Sequence, residues 1–80
     1  MKRSICYILY TDKENESRQI DNNRILIVII KINPNKFTGT KMRRFDEVYC
    51  DAIFSQRKYD LIVKEIFKPL VYKNGIFSWI

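Results

Sequence analysis

Residues 24–33 read Arg-Ile-Leu-Ile-Val-Ile-Ile-Lys-Ile-Asn, and no other stretch restricts the fold of this chain as strongly. The run is rich in β-branched residues and too short for a stable amphipathic helix, so it predicts a strand. Pro34 ends it, having no amide hydrogen to give to a ladder. Alternate residues of a strand point to opposite sides. Ile25, Ile27 and Ile29 therefore share one face, and Leu26, Val28, Ile30 and Ile32 share the other. A strand half open to water alternates apolar with polar residues, whereas this one is apolar on both sides and calls for two covers. A chain of 80 residues has helices enough for one. The second cover is then the terminal strands, a second copy of the protein, or a partner.

The rest of the chain divides around that strand. Residues 4–11, Ser-Ile-Cys-Tyr-Ile-Leu-Tyr-Thr, are β-branched and aromatic and predict another strand. Residues 12–23 contain a single apolar side chain, Ile20, and read as an exposed connection. Beyond a loop at 35–40, Met42, Phe45, Val48, Tyr49, Ala52 and Ile53 recur at spacings of three and four, which predicts a helix. Asp46 would be its N-cap, with Glu47 in the first turn. A competing strand reading groups Val48, Cys50, Ala52 and Phe54 on one face but leaves Phe45, Tyr49 and Ile53 mixed with acids. A second stripe, Tyr59, Ile62, Val63, Ile66 and Phe67, predicts a helix stopped at Lys68-Pro69. At the end, 70–73 and 76–80 flank Asn74-Gly75, the pair best suited to a type I′ hairpin turn. The expected fold is a single α+β domain over 1–80: a small antiparallel sheet, made of two N-terminal strands and a C-terminal hairpin, with one or two helices on one face.

Catalytic chemistry finds little footing here. There is no His, which removes most triads and most zinc sites. The only glycines, Gly39 and Gly75, cannot make a phosphate-cradling loop. Cys6 and Cys50 lie in apolar segments without CxxC spacing, where a structural thiol is the usual outcome. Asp12 ends the first predicted strand, and in that it is similar to the small nucleases of the CRISPR adaptation type. Those nucleases continue into a long amphipathic helix, and residues 13–23 carry no apolar stripe. No family is assigned on that one residue, and no enzyme activity, metal, cofactor or small-molecule substrate is expected.

Charge says more. Fifteen Lys and Arg stand against nine Asp and Glu, a net charge of +6. Lys36, Lys41, Arg43 and Arg44 cluster without an acid around Phe37, and Arg57 and Lys58 form a second pair. Both groups precede predicted helices, where cations oppose the macrodipole and a bound phosphate would compensate them. The first expectation is thus nucleic-acid binding, with these six cations on phosphates and Phe37 stacking. The alternative is a protein-binding accessory factor of the phage or mobile-element kind. It would act through Ile25, Ile27 and Ile29, or through Phe77 and Trp79, and could be a homodimer. Abundant Ile, Lys and Asn beside a single Ala suggest an AT-rich genome. Cysteine-poor composition and the lack of a signal segment or membrane span suggest the cytoplasm, or the host cytoplasm for a virus.

Overall fold

The computed structural model describes residues 2–37, 39 and 43–80. They form a five-stranded sheet in the order β2-β3-β1-β4-β5, from β1 (Arg3–Tyr10), β2 (Glu16–Asp21), β3 (Ile25–Ile32), β4 (Phe45–Cys50) and β5 (Val71–Trp79). β1 lies between β3 and β4 and is parallel to both, and β4 is parallel to β5. Only β2 runs the other way, antiparallel to β3 at one edge. A short 3-10 turn, Ala52–Ser55, and one helical run over 57–70, here called α1, connect β4 to β5.

This mixed, mainly parallel sheet overturns the expected antiparallel one, for three local reasons. The first is β4. Its residues were expected in a helix, but β1 offers an open edge and Phe45–Cys50 pairs with it. The acids that argued against a strand find cross-strand partners. Ser4 donates to the Asp46 carboxylate from its backbone N at 2.8 Å, and the Asp46 N–H donates to Ser4 Oγ at 3.1 Å. Asp46 therefore caps no helix, and Val48 and Cys50 share a face as the competing strand reading had it.

The second reason is β5, which replaces the hairpin with one continuous strand. Phe45 aligns with Val71 but Glu47 with Ile76, so β5 carries extra residues opposite Asp46. Asn74 and Gly75 are used in that bulge. Among the described residues only Gly39 has a positive φ, so the type I′ turn is not made. Gly75 serves close approach instead: a Cβ there would meet Asp46 O at 2.6 Å and Val71 Cγ2 at 2.5 Å.

The third is β2, drawn from a segment with one apolar residue. Its side chains are all exposed, so its place comes from ladder bonds to β3 and not from burial. Asn22 starts the hairpin, its side-chain oxygen accepting from the backbone N–H of Arg24 at 2.8 Å and of Ile25 at 2.9 Å.

The core lies on one side of the sheet. Cys6, Ile8, Leu26, Val28, Ile30, Val48 and Cys50 face Phe54, Val63, Phe67 and Leu70. Phe54 is the hub, edge-on to Phe67 at 5.1 Å and to Tyr59 at 5.3 Å. The stripe predicted for the second helix does face this core, with Tyr59, Ile62 and Ile66 at its margin. Asp51 fixes the end of β4, accepting from the Ile53 backbone at 3.1 Å and the Tyr10 backbone at 3.3 Å. No helix among the described residues is long and apolar enough to cross a membrane.

Candidate functional site

Parallel strands all begin at the same edge of a sheet, so whatever precedes each of them is gathered there. In this chain those positions are cations. Lys2 and Arg3 open β1, Arg24 precedes β3, Arg43 and Arg44 precede β4, and Lys73 lies in the β5 bulge opposite the start of β4. The Arg3 backbone N–H donates to Arg24 O at 3.0 Å, which joins the first two directly. With neighbouring strands about 4.8 Å apart, the starts of β3, β1, β4 and β5 span about 14 Å.

The acids at this edge, Asp21, Asp46 and Glu47, are already engaged. Lys2 pairs with Asp21. Asp46 is held by Ser4. Glu47 is buried, takes a 2.5 Å hydrogen bond from Arg3 Nε, and accepts another from the Tyr49 hydroxyl. The Tyr49 bond leads in holding the Glu47 carboxyl below its ordinary range; Arg3 adds to it against the opposing effect of burial. Arg24, Arg43, Arg44 and Lys73 are exposed, and among the described residues no carboxylate lies within ion-pair distance of them. Beside them a cleft of about 440 Å³ is lined by Lys2, Arg3, Glu47, Tyr72, Asn74 and Ile76, with Tyr72 44% exposed.

The residues expected to bind nucleic acid are not brought together. Arg43 and Arg44 belong to the edge just described, and they precede a strand, not a helix. Lys36, Phe37, Arg57 and Lys58 lie at the opposite edge, about 20 Å away along the six residues of β4. Lys41 lies outside the described residues. Lys36 pairs with Glu14 at 2.5 Å. Phe37 packs against Phe67, with ring centres 6.2 Å apart. Lys58 Nζ sits 5.2 Å over the Tyr59 ring, on a larger cleft of about 650 Å³ that Tyr10, Phe37, Ile62 and Ile66 also line. Arg57 and Lys58 do start α1, whose cap residue Gln56 makes no capping bond to the helix, its Nε2 donating instead to Ile53 O at 2.9 Å. Asp12, Glu14, Asp60 and Glu65 offset the cations at that end, and it has no comparable excess of positive charge.

The expected interface residues divide too. Ile25, Ile27 and Ile29 lie on the sheet face away from α1, in register with Arg3, Ile5 and Tyr7 of β1. Phe77 and Trp79 lie on the α1 side, in register with Val48 and Cys50, their rings edge to face at 5.3 Å. One protein surface cannot use both sets.

Arg24 and Lys73 were missed because each stands alone in sequence, and Lys2 and Arg3 because the pair precedes a strand and not a helix. The signal that could have found Lys2, Arg3 and Arg24 is a cation at or just before the start of each of the parallel strands β1, β3 and β4, readable only once the strands are known to be parallel. Lys73 needed the β5 bulge as well. Cys6 and Cys50 are buried free thiols pushed up to about 12 by burial, to which the nearby Asp51 charge adds for Cys50. Among the described residues no three Cys, Asp or Glu side chains converge as metal ligands. No family model matches this chain, and neither a curated protein nor a solved structure is found to be similar to it.

Proposed function

We propose that the protein is a small non-enzymatic nucleic-acid-binding module whose contact surface is the strand-start edge of its sheet. One observation carries the reading. Arg24, Arg43, Arg44 and Lys73 stand exposed and without an acid partner along one edge, while the acids there are engaged by Lys2, Ser4, Arg3 and Tyr49. Folding stability gains nothing from such a row, because like charges a strand apart repel. A polyanion would relieve the repulsion and release its own counterions. Tyr72, half exposed at the end of the row, offers a ring on which an unpaired base can stack.

The test is fluorescence anisotropy on labelled single-stranded and duplex oligonucleotides over a salt series. Replacing Arg24, Arg43, Arg44 and Lys73 together by Ala should lower the slope of log affinity against log salt by roughly 3, at about 0.7–0.9 for each phosphate no longer neutralised. Arg57→Ala with Lys58→Ala, at the other edge, should leave the slope where it was. Equal effects from the two variants, or none from the first, would remove this surface from consideration.

A further inference from the structure

The geometry points to a second copy of this chain packed over the open face of the sheet. Ile5, Tyr7, Ile25, Ile27, Ile29 and Tyr49 all lie on that face, only partly buried, and none of them packs against the core. The single helix among the described residues covers the other side. Sheets built of parallel strands are almost always covered on both faces, and here β1, β3, β4 and β5 are parallel. A lone apolar face of this extent marks an interface.

Size and chemistry favour a like copy as the occupant. Five strands about 4.8 Å apart, the longer ones about 26 Å long, give a flat footprint of roughly 600 Å². Corrugation raises its accessible area toward the roughly 800 Å² per partner of a standard stable interface. Two acids among the described residues lie on this face: Glu47 is only 7% exposed and already holds Arg3 and the Tyr49 hydroxyl, and Glu16, on the edge strand, pairs with Lys31 at 3.6 Å. A cover therefore need bring no cation of its own to match either acid. Tyr7 and Tyr49 stack at 5.4 Å and add a flat aromatic platform. The centre of this face is apolar, its ion pairs Arg3–Glu47 and Lys31–Glu16 are internal, and the one unpaired charge among the described residues, Arg18, lies out on the edge strand β2. Such a face is complementary to itself, which is the requirement of a two-fold interface. The proposal is independent of nucleic-acid binding: the strand-start cation on this face, Arg3, is already paired with Glu47 and is not among the four residues assigned to phosphate contact.

Solution mass tests it, measured by light scattering on the full chain at tens of micromolar, in salt high enough to dissociate nucleic acid. The expected result is the mass of two chains. Ile20, in register with Ile27 on the same face, is 56% exposed on the edge strand, so Ile20→Lys should keep the fold by circular dichroism. It should weaken the dimer at least tenfold, and Ile27→Lys, nearer the centre, should weaken it more. Leu61→Lys, on α1 and 67% exposed, should leave the mass unchanged. A wild-type mass of one chain overturns the proposal. So does a folded Ile20→Lys protein that dimerises as tightly as the wild type, or a Leu61→Lys protein that falls apart.

Discussion

Substitution of Gly75 by Ala should be costly, and the cost can be worked from the bulge between β4 and β5. A methyl group built on Gly75 would come within 2.6 Å of the Asp46 carbonyl oxygen and 2.5 Å of Val71 Cγ2. Ordinary contact begins well beyond that, so β4 and β5 must separate by about half an ångström or more, as in other overpacked sites. Neither neighbour yields easily. Asp46 O is backbone inside the sheet, and Val71 is β-branched and stiff about its first torsion. Overpacking of this kind costs about 1–3 kcal/mol, and a backbone obstacle puts Gly75→Ala in the upper half of that range. For a domain of this length about 2 kcal/mol lowers Tm by roughly 8–16 °C. Urea unfolding followed by far-ultraviolet circular dichroism measures it. Asn74→Ala supplies the contrast. Asn74 is exposed in the strand and its φ is not positive, so its loss should stay within about 0.5 kcal/mol. In a type I′ hairpin Asn74 would instead hold a positive φ that Ala tolerates poorly. A mild Gly75→Ala variant would refute the close approach in the bulge, and an Asn74→Ala variant as damaging as Gly75→Ala would restore the hairpin, whose turn needs positive φ at both positions.

Two further outcomes are expected of the folded state. The Glu47 carboxyl is held below its ordinary range by the Tyr49 hydroxyl and Arg3, so its stabilising effect is present above the usual carboxylate pKa, about 4.3, and is lost as pH falls through the lower folded value. Urea midpoints taken from pH 6 downward should therefore fall less steeply for Glu47→Gln than for the wild type; parallel curves would mean the network adds no pH-dependent stability. Both thiols, buried and pushed up to about 12, should resist a thiol reagent at neutral pH in the native protein and react together once urea unfolds it. Rapid native labelling of either would contradict the burial of Cys6 and Cys50.

Local pattern settled the elements whose apolar residues decide their conformation by themselves. Residues 3–10 and 25–32 are strands because β-branched side chains crowd a helix and pack well on a pleated surface, and Tyr59 to Phe67 form a helix because their stripe has the helical period. The same pattern established that β3 has two apolar faces, and both are present: one under α1 and one open. Phe45–Cys50 carries a helical period and a strand alternation together, and only the free edge of β1, with Ser4 and Arg3 waiting for Asp46 and Glu47, decided between them. β2 and the bulge at Asn74-Gly75 were likewise settled by neighbouring strands, through ladder bonds that composition does not encode. The site was hidden for the same reason. Composition established an excess of positive charge, but not its place. Strand direction decided that, because a parallel strand carries the residues before it to a common edge and an antiparallel one would have sent them to opposite ends. Arg43 and Arg44 thereby parted from Lys36, Arg57 and Lys58 and joined Arg24 and Lys73.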